Sequence, residues 1–378
     1  MFNLPIFVGL DYHQKSIQVC VMNQKRQILA NVTVENDPDA VHQVVAPFGS
    51  NVSVAIEAST GVANFAEILI HRFQWSVELA HPGYVARMKQ TPDKSDWTDA
   101  KLLADLTRVG YIPRVWLAPE HIRDLRELVR HRHGLVEQRK QAKLRLRAAL
   151  RNHRIICPHS PWTVKGKNWL LDPENIPPSS SLQHMLKDDY DIIEFFDRKI
   201  ANATETMMEK TFDDPVMKQL LRQSGVGFIT AVTMRALIGH FDRFRTGKQL
   251  AHFCAICPRN NSSAGKTTTG GLIKAGDALL RQVLIEAAHR LIRHDDYWSD
   301  MASRLRAQGK KTCVIVAAVA NRWIRKLFYQ MVKSSSSDSE ASGFLRHRQE
   351  STFLKEILSD AAAHRLATPE SSVQTVLP

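Results

Sequence analysis

Four carboxylates in the first hundred residues stand where metal-assisted phosphodiester chemistry would need them. Asp11 follows the apolar run Ile6-Phe7-Val8-Gly9-Leu10, and Glu57 follows Val52-Ser53-Val54-Ala55-Ile56. Asp96 and Asp99 are three apart in Lys94-Ser95-Asp96-Trp97-Thr98-Asp99-Ala100, so both share one face if this stretch opens a helix. Acids at adjacent strand ends, with a helix packed across them, can converge on hard divalent cations. Two such cations ~4 Å apart clamp the attacking and leaving oxygens of a phosphodiester. No His or Cys accompanies the set, so two Mg²⁺ ions are the expected occupants. Taken singly, an acid after a strand is usually a turn or cap residue, and Asp96 fits the N-cap of its helix. All four together at element ends favour the metal site.

The elements that must hold these acids alternate in type. Residues 6–10, 16–22 and 28–34 read as strands, and the turn signal Asn36-Asp37-Pro38 precedes a short helix through Val45. Residues 52–56 and 75–79 are further strands; 61–73, 84–89 and 98–109 are helical. This predicts a mixed sheet with helices on its faces. From 119 to 154 the pattern becomes one long helix with an apolar stripe through Leu125, Leu128, Val129, Leu135, Val136, Leu144 and Leu150. A Pro/Ser-rich insert follows over 157–181, then a second long helix over 190–210 able to pair antiparallel with the first. The expected domains are 1–118 (catalytic α/β), 119–215 (basic helical spacer), 216–333 (helical) and 334–378 (a serine-rich, partly disordered tail). The fold class is α/β plus all-α.

The charge separates along the same lines. The chain has 378 residues with 51 Lys and Arg against 38 Asp and Glu, a net +13. Residues 1–118 hold ten basic and eleven acidic residues, whereas 120–154 hold eleven against four. A basic helix of this kind suits a polyanion, because each neutralised phosphate releases a condensed counterion. Arg123, Arg126, Arg130, Arg139, Lys143, Arg147 and Arg151 are its candidate nucleic-acid contacts. The five scattered cysteines form no disulfide framework, no run is apolar enough to span a membrane, and the first residues lack a secretory signal. A cytoplasmic protein is expected.

A second chemical region lies far downstream. Gln223-Ser224-Gly225-Val226-Gly227-Phe228-Ile229-Thr230-Ala231 resembles a helix-hairpin-helix, whose glycine turn offers N–H groups to a phosphate. Pro258-Arg259-Asn260-Asn261-Ser262-Ser263-Ala264-Gly265-Lys266 reads as a polar loop, continued by Gly270-Gly271-Leu272-Ile273-Lys274-Ala275-Gly276-Asp277. Such a loop can present a serine hydroxyl beside Lys266 and Lys274, cations suited to a pentavalent phosphate. A solvated Gly/Ser loop is the bland alternative.

Together these regions resemble the DEDD transposases of bacterial insertion sequences, relatives of pilin-gene invertases. The stretch from Lys94 to Ala104 follows that family's Lys-x-Asp-x-x-Asp-Ala-x-x-Leu-Ala signature, and 258–277 is similar to its second conserved region, with Ala264 where glycine is usual. The resemblance implies a ribonuclease-H-like (RuvC-like) catalytic domain in which Asp11, Glu57, Asp96 and Asp99 hold Mg²⁺. It further implies a serine nucleophile, Ser263 with Ser262 as runner-up, that forms a transient phosphoserine link. Target and donor DNA, a structured guide RNA encoded beside the gene, a homodimer or homotetramer and a nucleoid-associated location follow from the same resemblance.

Three other classes compete. A RuvC-like junction-resolving nuclease would hydrolyse DNA without a covalent intermediate, and a non-enzymatic nucleic-acid-binding protein would tolerate loss of all four acids. An actin-like ATPase or sugar kinase would need Gly-rich phosphate loops that residues 50–118 lack. His252, Cys254 and Cys257 lack the second ligand pair of a zinc site, so structural cysteines are expected. Trp162, Trp169, Trp298 and Trp323 are expected in cores or interfaces, with stacking on single-stranded bases as the alternative.

Overall fold

Short Val- and Ile-rich runs bounded by turn residues build the first part of the protein as strands. β1 (Ile6–Tyr12), β2 (Ser16–Met22) and β3 (Ile28–Glu35) form an antiparallel meander. After α1 (Pro38–Val45), β4 (Val52–Glu57) returns parallel to β1, and α2 (Val62–Phe73) leads into β5 (Ser76–Ala80), parallel to β4. Then come α3 (Pro82–Met88), α4 (Asp96–Arg108) and the two-residue β6 (Arg114–Val115), antiparallel to β5. The sheet order is β3-β2-β1-β4-β5-β6. The computed structural model describes residues 4–89, 95–178, 180–263 and 266–337, without the side chains of 260–263, 266–269 and 333–337.

Both faces of this sheet are covered, which explains its nearly continuous apolar strands. On one side Val8, Leu10, Val19, Val54 and Ile56 pack with Val41 and Val45 of α1 and with Phe65 and Leu69 of α2. On the other, Cys20 and Met22 meet Ala100 and Ala104 of α4, while Ala55 and Ala80 meet Leu103 of α4 and Val85 of α3.

The chain divides into two compact units, residues 1–131 and Arg132 onward, and the division falls inside the long α5 (Glu120–Asn152). The Pro/Ser-rich insert is not irregular throughout: it folds α6 (Val164–Leu171), capped by Thr163, whose Oγ1 accepts from the Gly166 N–H. α7 (Ser181–Thr211) starts nine residues before the expected helix, because Ser180 caps it and Leu182 and Leu186 extend the apolar stripe of Tyr190 and Ile193. Partners step backward along α7 as they advance along α5: Arg132 with Thr204, Arg139 with Asp197, Arg145 with Asp189. The pair is therefore antiparallel, as the sequence suggests, and Leu146, Leu150, Leu170 and Leu186 close its core.

The remainder is mainly helical: α8 (Pro215–Leu221), α9 (Phe228–Ile238), α10 (Gly247–Phe253), α11 (Ala278–His294), α12 (Asp296–Ala307) and α13 (Thr312–Ser337). α9 is buried on every side from Thr230 to Ile238, which suits a helix packed beneath α8 and α11. One element departs from the expected polar loop. β7 (Pro258–Ser263) and β8 (Lys266–Leu272) pair as an antiparallel hairpin, with Ser262 opposite Thr267 and Ser263 opposite Lys266. The β-branched run Thr267-Thr268-Thr269 favours an extended backbone over a free loop. Of the tail expected to be partly disordered from 334, residues 334–337 continue α13 and the rest lies outside the described residues.

Candidate active site

The N-terminal site depends on one glycine. A Cβ placed on Gly9 of β1 would lie 2.0 Å from the Ala100 carbonyl oxygen and 2.5 Å from the Ala104 nitrogen. The backbone of α4 therefore rests directly on β1, with Ala100, Leu103 and Ala104 at the crossing. This contact lays the first turn of α4, with Asp96 and Asp99, over the C-terminal end of β1, where Asp11 stands. Asn31 of β3 pins the same turn, its Nδ2 donating to the Trp97 carbonyl at 3.2 Å. Ser95, not Asp96, is the N-cap: its Oγ accepts from the Thr98 N–H at 3.2 Å, which leaves the Asp96 carboxylate uncommitted to the backbone. Asp11 lies within β1 and Glu57 closes β4, each one residue beyond the parallel Leu10–Ile56 pair. The sheet register thus aligns these two acids side by side.

Two basic side chains that the carboxylate pattern did not anticipate sit among them. His13 Nε2 lies 3.3 Å from Asp11 Oδ2 and 3.4 Å from Asp96 Oδ2. Lys89 Nζ, from the residue after α3, donates to Asp99 Oδ2 at 2.6 Å, and Asp99 is buried. The expectation that no histidine accompanies the set is therefore corrected. His13 is two residues beyond Asp11, and alternate residues at a strand end share a face; that spacing was the available signal. Lys89 comes from outside any motif. Burial pushes the Asp11 carboxyl above its ordinary range, with Asp96 and Asp99 adding to the rise and His13 opposing it. A desolvated, mutually repelling set of carboxylates is what a divalent cation would relieve, so the residues fit such an ion. Among the described residues Asp11, His13 and Asp96 are the group whose ligand atoms lie within 4.8 Å of one another.

The serine region belongs to the second unit. Ser262 and Ser263 occupy the last two positions of β7, at the tip of the hairpin, and Ala264 and Gly265 lie outside the described residues. Past β8, Lys274 is exposed, and Asp277 caps α11 by accepting from the Leu279 and Leu280 N–H groups. Gly225, at φ +76°, makes the turn between α8 and α9, and Gly227 is the N-cap residue of α9. Cys254 is buried with its thiol held well above the usual range, as expected of a structural cysteine.

Both regions match known families. A family model described as a transposase, of the DEDD type, covers residues 8–155, and a second, for the transposase IS116/IS110/IS902 family, covers residues 217–303. The chain belongs to this transposase family. It is 25% identical over 275 residues to the transposase for insertion sequence element IS1328 of Yersinia enterocolitica, a match covering 72% of this chain and 81% of the relative. It is also 22% identical over 289 residues to the transposase for insertion sequence element IS1111A of Coxiella burnetii, covering 76% and 78%. The first family match contains all four acids and the second contains Ser262, Ser263, Lys266 and Lys274. An insertion-sequence transposase is a DNA recombination enzyme, and DNA is its substrate. No described helix is long and apolar enough to cross a membrane.

Within this transposase the basic helix is less free than its sequence suggests. Arg123 grips Glu67 through two hydrogen bonds of 2.6 Å and also donates to the Ala118 carbonyl. That pairing holds the Glu67 carboxyl below its usual range. Arg139 pairs with Asp197, and Lys143 and Arg147 lie 5.0 and 5.3 Å from the centre of the Trp162 ring. Arg126 and Arg130 also make interactions within the chain. Arg151 is exposed. The acids of α7, Asp189 and Asp197 among them, neutralise charge that α5 offers when read alone.

Proposed function

We propose that this transposase cuts and rejoins DNA strands with a Mg²⁺-binding Asp11, Glu57, Asp96 and Asp99 site and a serine nucleophile, Ser263. The observation that carries the reading is the Gly9 crossing, which brings Asp96 and Asp99 of α4 against Asp11 of β1. The sheet order, a three-stranded meander followed by parallel β4 and β5, supports a ribonuclease-H-like catalytic domain. Mg²⁺, when bound, supplies charge stabilisation to the phosphodiester oxygens. The chain's own part is to hold that site: Lys89 fixes the Asp99 carboxylate, and His13 bridges Asp11 and Asp96.

Ser263 Oγ bonds to phosphorus as the bond to one deoxyribose oxygen breaks. Attack by the hydroxyl of a second strand then releases the serine. One phosphoester is exchanged for another, so no external energy source is needed. The helical turn at Gly225 and Gly227 and the cations Lys266 and Lys274 serve the DNA backbone. An element-encoded guide RNA, pairing with target and donor DNA, supplies sequence choice, and a homodimer or homotetramer supplies several serines. These last two features rest on the family resemblance, as does a cytoplasmic, nucleoid-associated location.

Expression of the gene with its natural flanking DNA, followed by sequencing of co-purifying RNA, yields one discrete flank-encoded species on this reading. Heterogeneous cellular RNA on a well-folded protein contradicts guiding. A junction-resolving nuclease differs in one outcome: Ser263→Ala would leave its cleavage intact.

A further inference from the structure

One cavity of the second unit has no part in the site described above. It lies between the base of the β7–β8 hairpin and the helices α12 and α13, with a volume of about 770 Å³. Leu272, Met301, Leu305, Val314, Ala317 and Ala318 give it an apolar floor, and none of its lining residues is aromatic. Its rim is cationic. Arg304, Arg322 and Arg325 all line it, and among the described residues none of the three has a carboxylate partner. On α5, by contrast, Arg123, Arg139, Lys140 and Arg145 each have a carboxylate partner. The first turn of α13 reaches the same space through Cys313 and Val314. Asn321 is fixed in the wall by its Nδ2, which donates to the Ile256 carbonyl at 2.8 Å and leaves its Oδ1 as an acceptor. Gly270 and Gly271 present bare backbone, and nothing lies within 4 Å of where a Cβ on Gly271 would be.

An apolar floor, one fixed amide and a rim of unpaired guanidiniums match one chemical object in a DNA-processing enzyme: a nucleobase attached to phosphates. The geometry points to this cavity as a receptor for a single unpaired nucleotide of the DNA strand, its base inserted and its flanking phosphates held by Arg304, Arg322 and Arg325. The volume falls in the range of small-ligand sites, about 300–1,000 Å³. Extruding a base costs least where it is already unpaired, so the site selects melted or bulged DNA over intact duplex. Ser263 lies five residues along β7 from Pro258 at the cavity wall, roughly 17 Å at strand rise. A captured base therefore anchors the strand a short way from the phosphodiester that Ser263 attacks. The inference rests on the transposase reading of that serine for its purpose, but not for the binding itself.

The test uses the full-length protein and a duplex carrying one bulged 2-aminopurine, with the same base paired in a control duplex. A 5′-fluorescein label reports total DNA binding by anisotropy. Because no aromatic ring lines the cavity, the inserted base escapes stacking, and its fluorescence rises severalfold on binding of the bulged duplex only. Ala317→Trp, which fills the cavity, abolishes the rise while anisotropy still reports binding. Should that variant fail to fold, exposed Arg304→Ala and Arg322→Ala each weaken binding of the bulged duplex and reduce its salt slope by about one. Fluorescence that stays quenched on bound DNA, a rise that survives Ala317→Trp in folded protein, or a rise with an RNA bulge alone overturns the proposal. Retained DNA cleavage in those same outcomes leaves the proposed activity standing, whereas loss of all DNA binding refutes both.

Discussion

Replacing Gly9 with alanine adds one methyl group where the structure has no room for it. The new Cβ would stand 2.0 Å from Ala100 O and 2.5 Å from Ala104 N, both backbone atoms of a helix. Ordinary contact begins near 3.4 Å, so α4 must move off β1 by more than an ångström or the strand must bend. Overpacking of this kind costs about 2–3 kcal/mol, because no flexible side chain can yield instead. For a unit of this size the melting temperature falls by roughly 6–12 °C. The functional loss is larger, since the displaced first turn carries Asp96 and Asp99 away from Asp11. A misplacement of about 1 Å at reacting groups costs on the order of a hundredfold in rate. Gly134 in α5 is the matched control. Nothing lies within 4 Å of its would-be Cβ, so Gly134→Ala stabilises by about 0.5–1 kcal/mol through helix propensity. Calorimetry and Mg²⁺-dependent DNA cleavage on both variants decide the matter. A Gly9→Ala protein with unchanged melting temperature and cleavage would refute the reasoning.

Three further outcomes follow from the same structure. The folded state holds the Asp11 proton more tightly than the unfolded chain does, so its stabilising share is present at low pH and lost as pH rises through the raised value. Asp11→Asn therefore raises the melting temperature of metal-free protein at pH 7 and has a smaller effect near pH 4, while abolishing cleavage; equal melting shifts at both pH values would contradict this. Arg123→Ala leaves the half-buried Glu67 unpaired and destabilises by about 1–3 kcal/mol in urea unfolding, with little change in DNA affinity; an unchanged midpoint with weakened DNA binding would assign Arg123 to the nucleic acid instead. In native protein a maleimide labels exposed Cys313 and spares Cys20 and Cys254, both buried, with the Cys20 thiol pushed up to about 11.

Much of the N-terminal fold was legible because its strands are apolar on both faces and closed by clear turn residues. β1, β2, β4 and the start of α5 fall within a residue or two of the pattern. β6, with only two residues, carries no periodic signal. The Asp96 and Asp99 spacing was readable as one turn of helix, but the reason they reach Asp11 was not. That reason is Gly9, which in sequence is one glycine inside a strand and acquires meaning only when α4 crosses it. His13 was within reach of strand alternation, whereas Lys89 reaches Asp99 through the chain between α3 and α4 and has no local signature. The basic helix misled for a related reason. Its charge is evident from local sequence, but the acids that cancel it lie on α7, more than forty residues away. The β7–β8 hairpin was hidden by its Gly, Ser and Asn content, which suits loops equally well; only the threonine run argued for strand.

The central claim is that a serine works with the acidic site. Full-length protein co-purified with its RNA is incubated with flanking-element DNA and Mg²⁺, then denatured and digested for mass spectrometry. The account predicts a DNA-linked peptide with phosphate on Ser263, absent in Ser263→Ala and in Asp11→Asn. Strand cleavage that yields no protein adduct and proceeds unchanged in Ser263→Ala would contradict it and leave a metal-dependent hydrolase in its place.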